Sequence, residues 1–227
     1  MAEVIKVRRS ASNQAAYDSY ANNMERLMAG NSRGAGLVLP EHFAAVAEGR
    51  MFVANIGTAT TPTSFAKTTY DADQPQFVID VPSGKAIQPI VLKVVLETEA
   101  GTLNEVIWSV SDGLIGAGTS TAVTPANART QSTGSQPSSG CDLYSLYTGN
   151  GTAPSNGFEF ARFSSPFVLS DGDPHNDHRY QWKAAEEGWS PLIQGTGALV
   201  CHIVGASTAP TGYLTAVWWE MDTEVSA

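Results

Sequence analysis

The sequence predicts an all-β protein, a two-sheet sandwich of about eight strands behind a short helical N-terminal arm. Three observations lead there. Gly (21) and Pro (12) are plentiful, while only 15% of the 227 residues are charged, a turn-rich composition rather than that of a helical bundle. From residue 50 onward apolar side chains recur at every second position, the period of a strand. Turn signals separate the apolar stretches: Pro82-Ser83-Gly84, Asp112-Gly113, Asn150-Gly151, Asn156-Gly157 and Asp171-Gly172. Hydrophobic residues make up 42%, enough for a sizeable core in one large unit.

Residues 1–49 form the predicted arm. A helix is expected over 11–29, where Ala16, Tyr20, Met24, Leu27 and Met28 fall on one stripe, with Ser10 or Ser12 as cap and Gly30 as stop. A second short helix follows. Pro40 suits its first position, Glu41 its positive end, Phe43, Val46 and Ala47 its apolar side, and Gly49 its end. Residues 50–227 form the sandwich. Its strands are expected at Arg50–Ile56, Phe77–Val81, Ile90–Thr98, Val106–Val110, Phe158–Phe163, Phe167–Ser170, Arg179–Lys183, Leu199–Val204 and Tyr213–Glu220. In the third, Ile90, Leu92, Val94 and Leu96 share the apolar side. Residues 111–157, rich in Ser, Thr, Gly, Ala, Pro and Asn, read as one long loop. Leu143, Tyr144, Leu146 and Tyr147 can pack and keep it ordered, with neighbouring subunits as the simplest support. The long connections and strand count point to a jelly-roll or Greek-key arrangement.

Net charge is −9, unevenly spread: residues 1–33 carry +2 and the remainder −11. A surface this acidic does not suit coating of nucleic acid. Lys6, Arg8 and Arg9 are the nucleic-acid contact candidates, set against a solvated or partner-docked tail. The N-terminus has no signal-peptide pattern, and no apolar run reaches the 18 residues of a transmembrane helix. Cys201 sits in an apolar strand and Cys141 in a polar tract; reduced thiols are expected, with a disulfide between them as the alternative.

The densest polar cluster is Asp171-Gly-Asp-Pro-His-Asn-Asp-His178. Asp171, Asp173 and Asp177 are hard oxygen donors of the kind Ca²⁺ takes, but Trp182 stands where a calcium loop carries its twelfth-position Glu. His175 and His178 lack a clear third ligand. Plain turn chemistry is the competing reading, so no cofactor is expected, with Ca²⁺ as the one candidate. His42 and His202 are isolated, and His202 reads as a core histidine. A nucleophile elbow, a Walker loop and a dinucleotide fingerprint are all missing, so the expected class is not an enzyme. Trp218 and Trp219 are adjacent on the last strand and must face opposite sides. One fills the core, with Trp218 the expected one; the other is an interface anchor or a platform for a sugar ring. Tyr20, Met24, Leu27 and Met28 complete the interface candidates.

The whole pattern resembles a single jelly-roll coat protein of an icosahedral virus or bacteriophage. The arm with Lys6, Arg8 and Arg9, the strands from Arg50 to Glu220, and the last strand Tyr213-Leu-Thr-Ala-Val-Trp-Trp-Glu220 after a Pro-Thr-Gly turn carry the resemblance. It is one of architecture, not of a motif. It implies a structural virion protein, assembled in the host cytoplasm into a shell of many copies, with other virion proteins as further partners. The acidity and short basic arm imply weak or no direct contact with the genome. The alternative is a non-catalytic binding module: a phage fibre, a decoration protein or a carbohydrate-binding sandwich.

Overall fold

The structure, a computed structural model, describes residues 7–9, 28–30, 41–65, 67–98, 104–130, 136–149, 151–165, 179–205 and 209–223. Its elements in chain order are β1 (Val7–Arg9), β2 (Met28–Gly30), α1 (Glu41–Ala47), β3 (Met51–Ile56), β4 (Thr63–Ser64), β5 (Phe77–Val81), β6 (Lys85–Thr98), β7 (Asn104–Ser111), β8 (Thr119–Ala122), β9 (Ala126–Asn127), β10 (Asp142–Gly149), β11 (Phe158–Ser165), β12 (Arg179–Lys183), α2 (Ala184–Glu187), β13 (Ile193–Gln194), β14 (Gly197–Gly205) and β15 (Thr211–Asp222).

Two antiparallel sheets carry the fold. The first runs β11-β7-β14-β5-β10-β8. The second runs β12-β6-β15-β3-β9, with β13 also on β6 and β4 on β15. Eight principal strands follow one rule. The first, β3, pairs with the last, β15; the second, β5, with β14; the third, β6, with β12; the fourth, β7, with β11. The chain between β3 and β15 is thus a long antiparallel ribbon doubled on itself. The longest strands, β6 and β15, lie side by side in the middle of the second sheet.

The core lies between the sheets because strand alternation sends every second apolar residue to one face. Phe77, Ile79 and Val81 of β5, Trp108 of β7 and Leu199 and Cys201 of β14 meet Phe52, Leu92, Val94, Trp182, Leu214 and Trp218 from the second sheet. All nine residues of β14 are buried. Its outer side is covered too: Val78, Ala198 and Val200 pack with Ile115 and Tyr147. The segments 67–76 and 111–118 therefore add a partial third layer over the first sheet.

Several expectations are corrected here. Met28–Gly30 is a strand paired in parallel with Val7–Arg9, so the ladder takes the backbone groups that a helix to Ala29 would need. Residues 11–27, the rest of that helix, lie outside the described residues, as does the expected strand Phe167–Ser170. Helix α1 forms where expected, but it meets the sandwich through the buried Ala44 and Ala45, whereas Phe43 is 57% exposed. Small side chains let the helix lie close, and the Arg50 amide donates to the Ala45 carbonyl at its end (2.9 Å). Gly49 closes it at φ +73°, and a β-carbon there would come within 2.9 Å of Pro137 Cγ.

Ile90 is only half-buried. Val217 opposes Val91 while Trp218 opposes Pro89, so Ile90 is the extra residue of a bulge, and the inward parity is odd up to Pro89 and even from Leu92 onward. Pro89, with no amide hydrogen, suits a break in the ladder. The expected loop 111–157 holds three strands, β8, β9 and β10. Strand β10 pairs with both β5 and β8 inside the first sheet, so this stretch is part of the sandwich rather than a loop that needs a neighbour.

Candidate functional site

Few of the sequence-predicted site residues are among the described ones. Asp171, Asp173 and Asp177, with His175 and His178, lie outside the described residues, as do Lys6, Tyr20, Met24 and Leu27. Arg8 and Arg9 stand on β1, opposite Ala29 and Gly30, and Val7 stands opposite Met28. Among the described residues no group of three His, Cys, Asp or Glu is placed to hold a metal ion. No helix among them is long and apolar enough to cross a membrane.

Trp218 is the inward ring. It is fully buried and stacks on Phe52 with centroids 6.1 Å apart. Its ring is used inside its own core, the place expected for one of the two adjacent tryptophans, and not at an interface. Its indole Nε1 donates to Glu220 Oε1 at 3.1 Å. The buried Glu220 also accepts from the Gly140 amide at 2.9 Å and from the Ser139 hydroxyl. Strand β15 is in this way tied to the segment that leads into β10. Beside it, a cleft of about 150 Å³ is lined by Glu48, Arg50, Lys85, Pro137 and Asp222. Its charges are paired, Arg50 with Glu48 and Lys85 with Asp222, each at 2.5 Å. Trp219 faces the other way, beside Met51 and Gln88, but is only 9% exposed. The exposed large apolar side chains near α2 are instead Trp189 and Leu192.

Both cysteines are buried free thiols. Burial pushes each thiol up, and the nearby Glu220 carboxylate adds to the effect at Cys141. Neither has the lowered pKa of a reactive thiolate.

A second, larger groove of about 290 Å³ lies on the outer face of the first sheet. Strand register builds it. Arg162 of β11 lies beside Ile107 of β7, which lies beside His202 of β14; one row on, Glu159 lies beside Ser109 and Val200. The rims come from loops: Tyr70 on one side, and Pro154, Asn156, Gly157 and Phe158 on the other. Tyr70 and Phe158 are 55% and 51% exposed. Asn156 adopts φ +40°, and a β-carbon on Gly157 would fall 1.6 Å from the Val110 carbonyl oxygen. Only glycine lets this turn lie directly on β7. In the sequence, Asn156-Gly157 is a turn signal and Phe158 the first residue of a strand. Neither gives a sign that Tyr70, 88 positions earlier in the same numbering, would share the groove.

The charged floor is fixed. Arg162 Nε and Nη2 donate to the two Glu159 oxygens at 2.8 and 2.7 Å, and Nη1 to Glu105 Oε1 at 3.2 Å. The guanidinium hydrogen bond holds the Glu159 carboxyl below its ordinary range. Under the rim, the Tyr70 ring covers the buried His202 imidazole, centroids 4.7 Å apart. Burial lowers the His202 pKa, because the charged form loses water. Below about 6.5, the ordinary histidine value, the unfolded chain therefore binds more protons at this site than the folded one. Stability is expected to fall as pH drops from 6.5 towards the lowered folded value, and to level off beneath it. Denaturant unfolding of wild type and His202→Gln at a series of pH values checks this; the variant should lose that part of the slope.

Compared with known proteins, the chain matches no family model, no curated protein and no solved structure.

Proposed function

We propose that the chain is a jelly-roll coat subunit that assembles with copies of itself into a closed icosahedral shell around a viral or bacteriophage genome. The observation that carries this reading is the first-with-last pairing of the eight principal strands, β3 with β15 through to β7 with β11. A ribbon folded in that way gives two four-stranded sheets, β3-β15-β6-β12 and β5-β14-β7-β11, the arrangement of doubled Greek keys common in capsid domains. The outer side of the second sheet favours a role in assembly. Met51 and Val53 of β3, Val91 and Val95 of β6 and Val217 of β15 are all only half-buried there. Such a sheet face, apolar on either side of the polar row Asn55, Thr215 and Lys93, suits cover by a neighbour, and shells need many moderate contacts of this kind rather than one site. The acidic body favours packaging with little direct contact to nucleic acid.

Sizing by light scattering and negative-stain microscopy of the purified full chain test this. Closed particles or capsomers are expected. A stable monomer or small oligomer at every concentration and salt tried would overturn it. Val217→Lys, placed in the half-buried row, is expected to leave the melting temperature within a few degrees while abolishing particles.

A further inference from the structure

The geometry points to a saccharide-binding groove on the outer face of the first sheet, between Tyr70 and Phe158, selective for neutral pyranosides. This goes beyond the shell reading and does not rest on it, since the groove is built by one chain.

A pyranose ring has an apolar C–H face and a rim of hydroxyls. Its binding site therefore needs an exposed aromatic surface next to fixed donors and acceptors. The groove supplies both. Tyr70 and Phe158 keep about half of their surfaces open at its edges, although burial of such rings is worth much in free energy. Between them the floor sets apolar Ile107 beside Ser109 and the amide of Asn156. The guanidinium of Arg162 has five N–H groups, of which three are committed to Glu159 and Glu105. Two remain for hydroxyl oxygens, and the Glu159 oxygens keep free lone pairs for hydroxyl protons. Because the ion pairs already hold these side chains, little rotamer freedom is lost when a ligand docks.

Charge selects among ligands. Glu159 and Arg162 of the lining balance each other, and Glu105, bonded to Arg162 just outside it, leaves one net negative charge beside the groove, which opposes a sugar carboxylate, a sulfate or a nucleic-acid phosphate. The volume of about 290 Å³ is just below the range of small-ligand pockets, roughly 300–1,000 Å³. It fits the end of a glycan rather than the apolar face of a peptide helix.

A glycan array bearing neutral, sialylated and sulfated glycans, followed by titration of the best neutral oligosaccharide, tests the proposal. Binding to neutral glycans is expected, with acidic ones bound more weakly. Tyr70→Ala and Phe158→Ala should each weaken it about ten-fold or more, as loss of an aromatic anchor does. Phe158→Tyr should keep it, and melting temperatures should show that all three variants fold. No binding to any glycan, preference for acidic glycans, or affinity unchanged in both alanine variants would overturn the proposal. Capture of an immobilised peptide in place of a glycan would overturn it too.

Discussion

Trp218→Ala is expected to cost about 3–5 kcal/mol, the usual range for truncating a buried large aromatic residue. For a chain of this length that corresponds to a fall of roughly 10 °C in melting temperature. Two losses combine. The ring fills the space between the sheets, stacked on Phe52 and surrounded by residues with almost no exposure. Its Nε1 also donates to the buried Glu220 carboxylate, beside the Gly140 amide and the Ser139 hydroxyl. Trp218→Phe separates them: it restores most of the volume but not the donor, and should recover more than half of the loss. Trp219→Ala makes a useful comparison from the opposite side of the strand. Its ring is covered but lies outside the inter-sheet core, so a smaller cost is expected. Thermal unfolding of the three variants decides the matter. Equal losses at 218 and 219 would place both rings in one cooperative core and remove the distinction drawn from the register.

The strands most legible in the sequence were those with clean two-residue alternation between clear turns. Met51–Ile56, Phe77–Val81, Arg179–Lys183 and Thr211–Asp222 form within one or two residues of where the pattern puts them. The misses have local causes. At Ile90 a bulge changes the parity inside one strand, so no single period describes β6. In β10, Leu146 adopts φ +55°, and the ladder to β8 shifts register between Ser145 and Gly149. Leu143 and Leu146, three apart, thus both pack against the inter-sheet core, while Tyr144 and Tyr147 go to the outer cluster. A helix-like spacing in a Ser- and Thr-rich tract carries no strand signal, and the stretch read as loop. The groove was illegible for another reason. Its residues meet only because β7 lies between β11 and β14, a long-range pairing that no local pattern encodes. The acidic loop 171–178 stands out in the sequence by composition alone, and composition does not say which distant residues a strand order brings side by side.

Asp80 governs the loop behind that groove, and its replacement is expected to have the second large effect. The buried carboxylate accepts from the Ile115 amide at 2.9 Å and the Gly116 amide at 2.8 Å. Asp80→Ala leaves both amides without that acceptor, at about 1–3 kcal/mol for each buried group, so a total of about 2–4 kcal/mol is expected. The consequence extends along the chain. Ile115 accepts from the Thr152 amide at 2.9 Å, Tyr147 donates to the Gly116 carbonyl at 2.5 Å, and the Ser111 hydroxyl accepts from the amides of Gly113 and Ser155. Loosening residues 112–118 should therefore loosen 151–157, the rim that presents Asn156 and Phe158. Faster hydrogen exchange at Ile115, Gly116 and Thr152 is expected, together with weaker glycan binding. The pH response has a fixed sign. Burial raises the Asp80 pKa against the pull of its two amide hydrogen bonds. Between the ordinary value of 3.8 and the raised one, the folded chain binds more protons here than the unfolded chain, so this group's contribution is fullest at low pH and declines as pH rises through that window. Asp80→Asn keeps one acceptor and cannot ionise. Its stability relative to wild type should thus improve as pH rises through the window, and a constant difference between the two would show that the carboxylate does not titrate there.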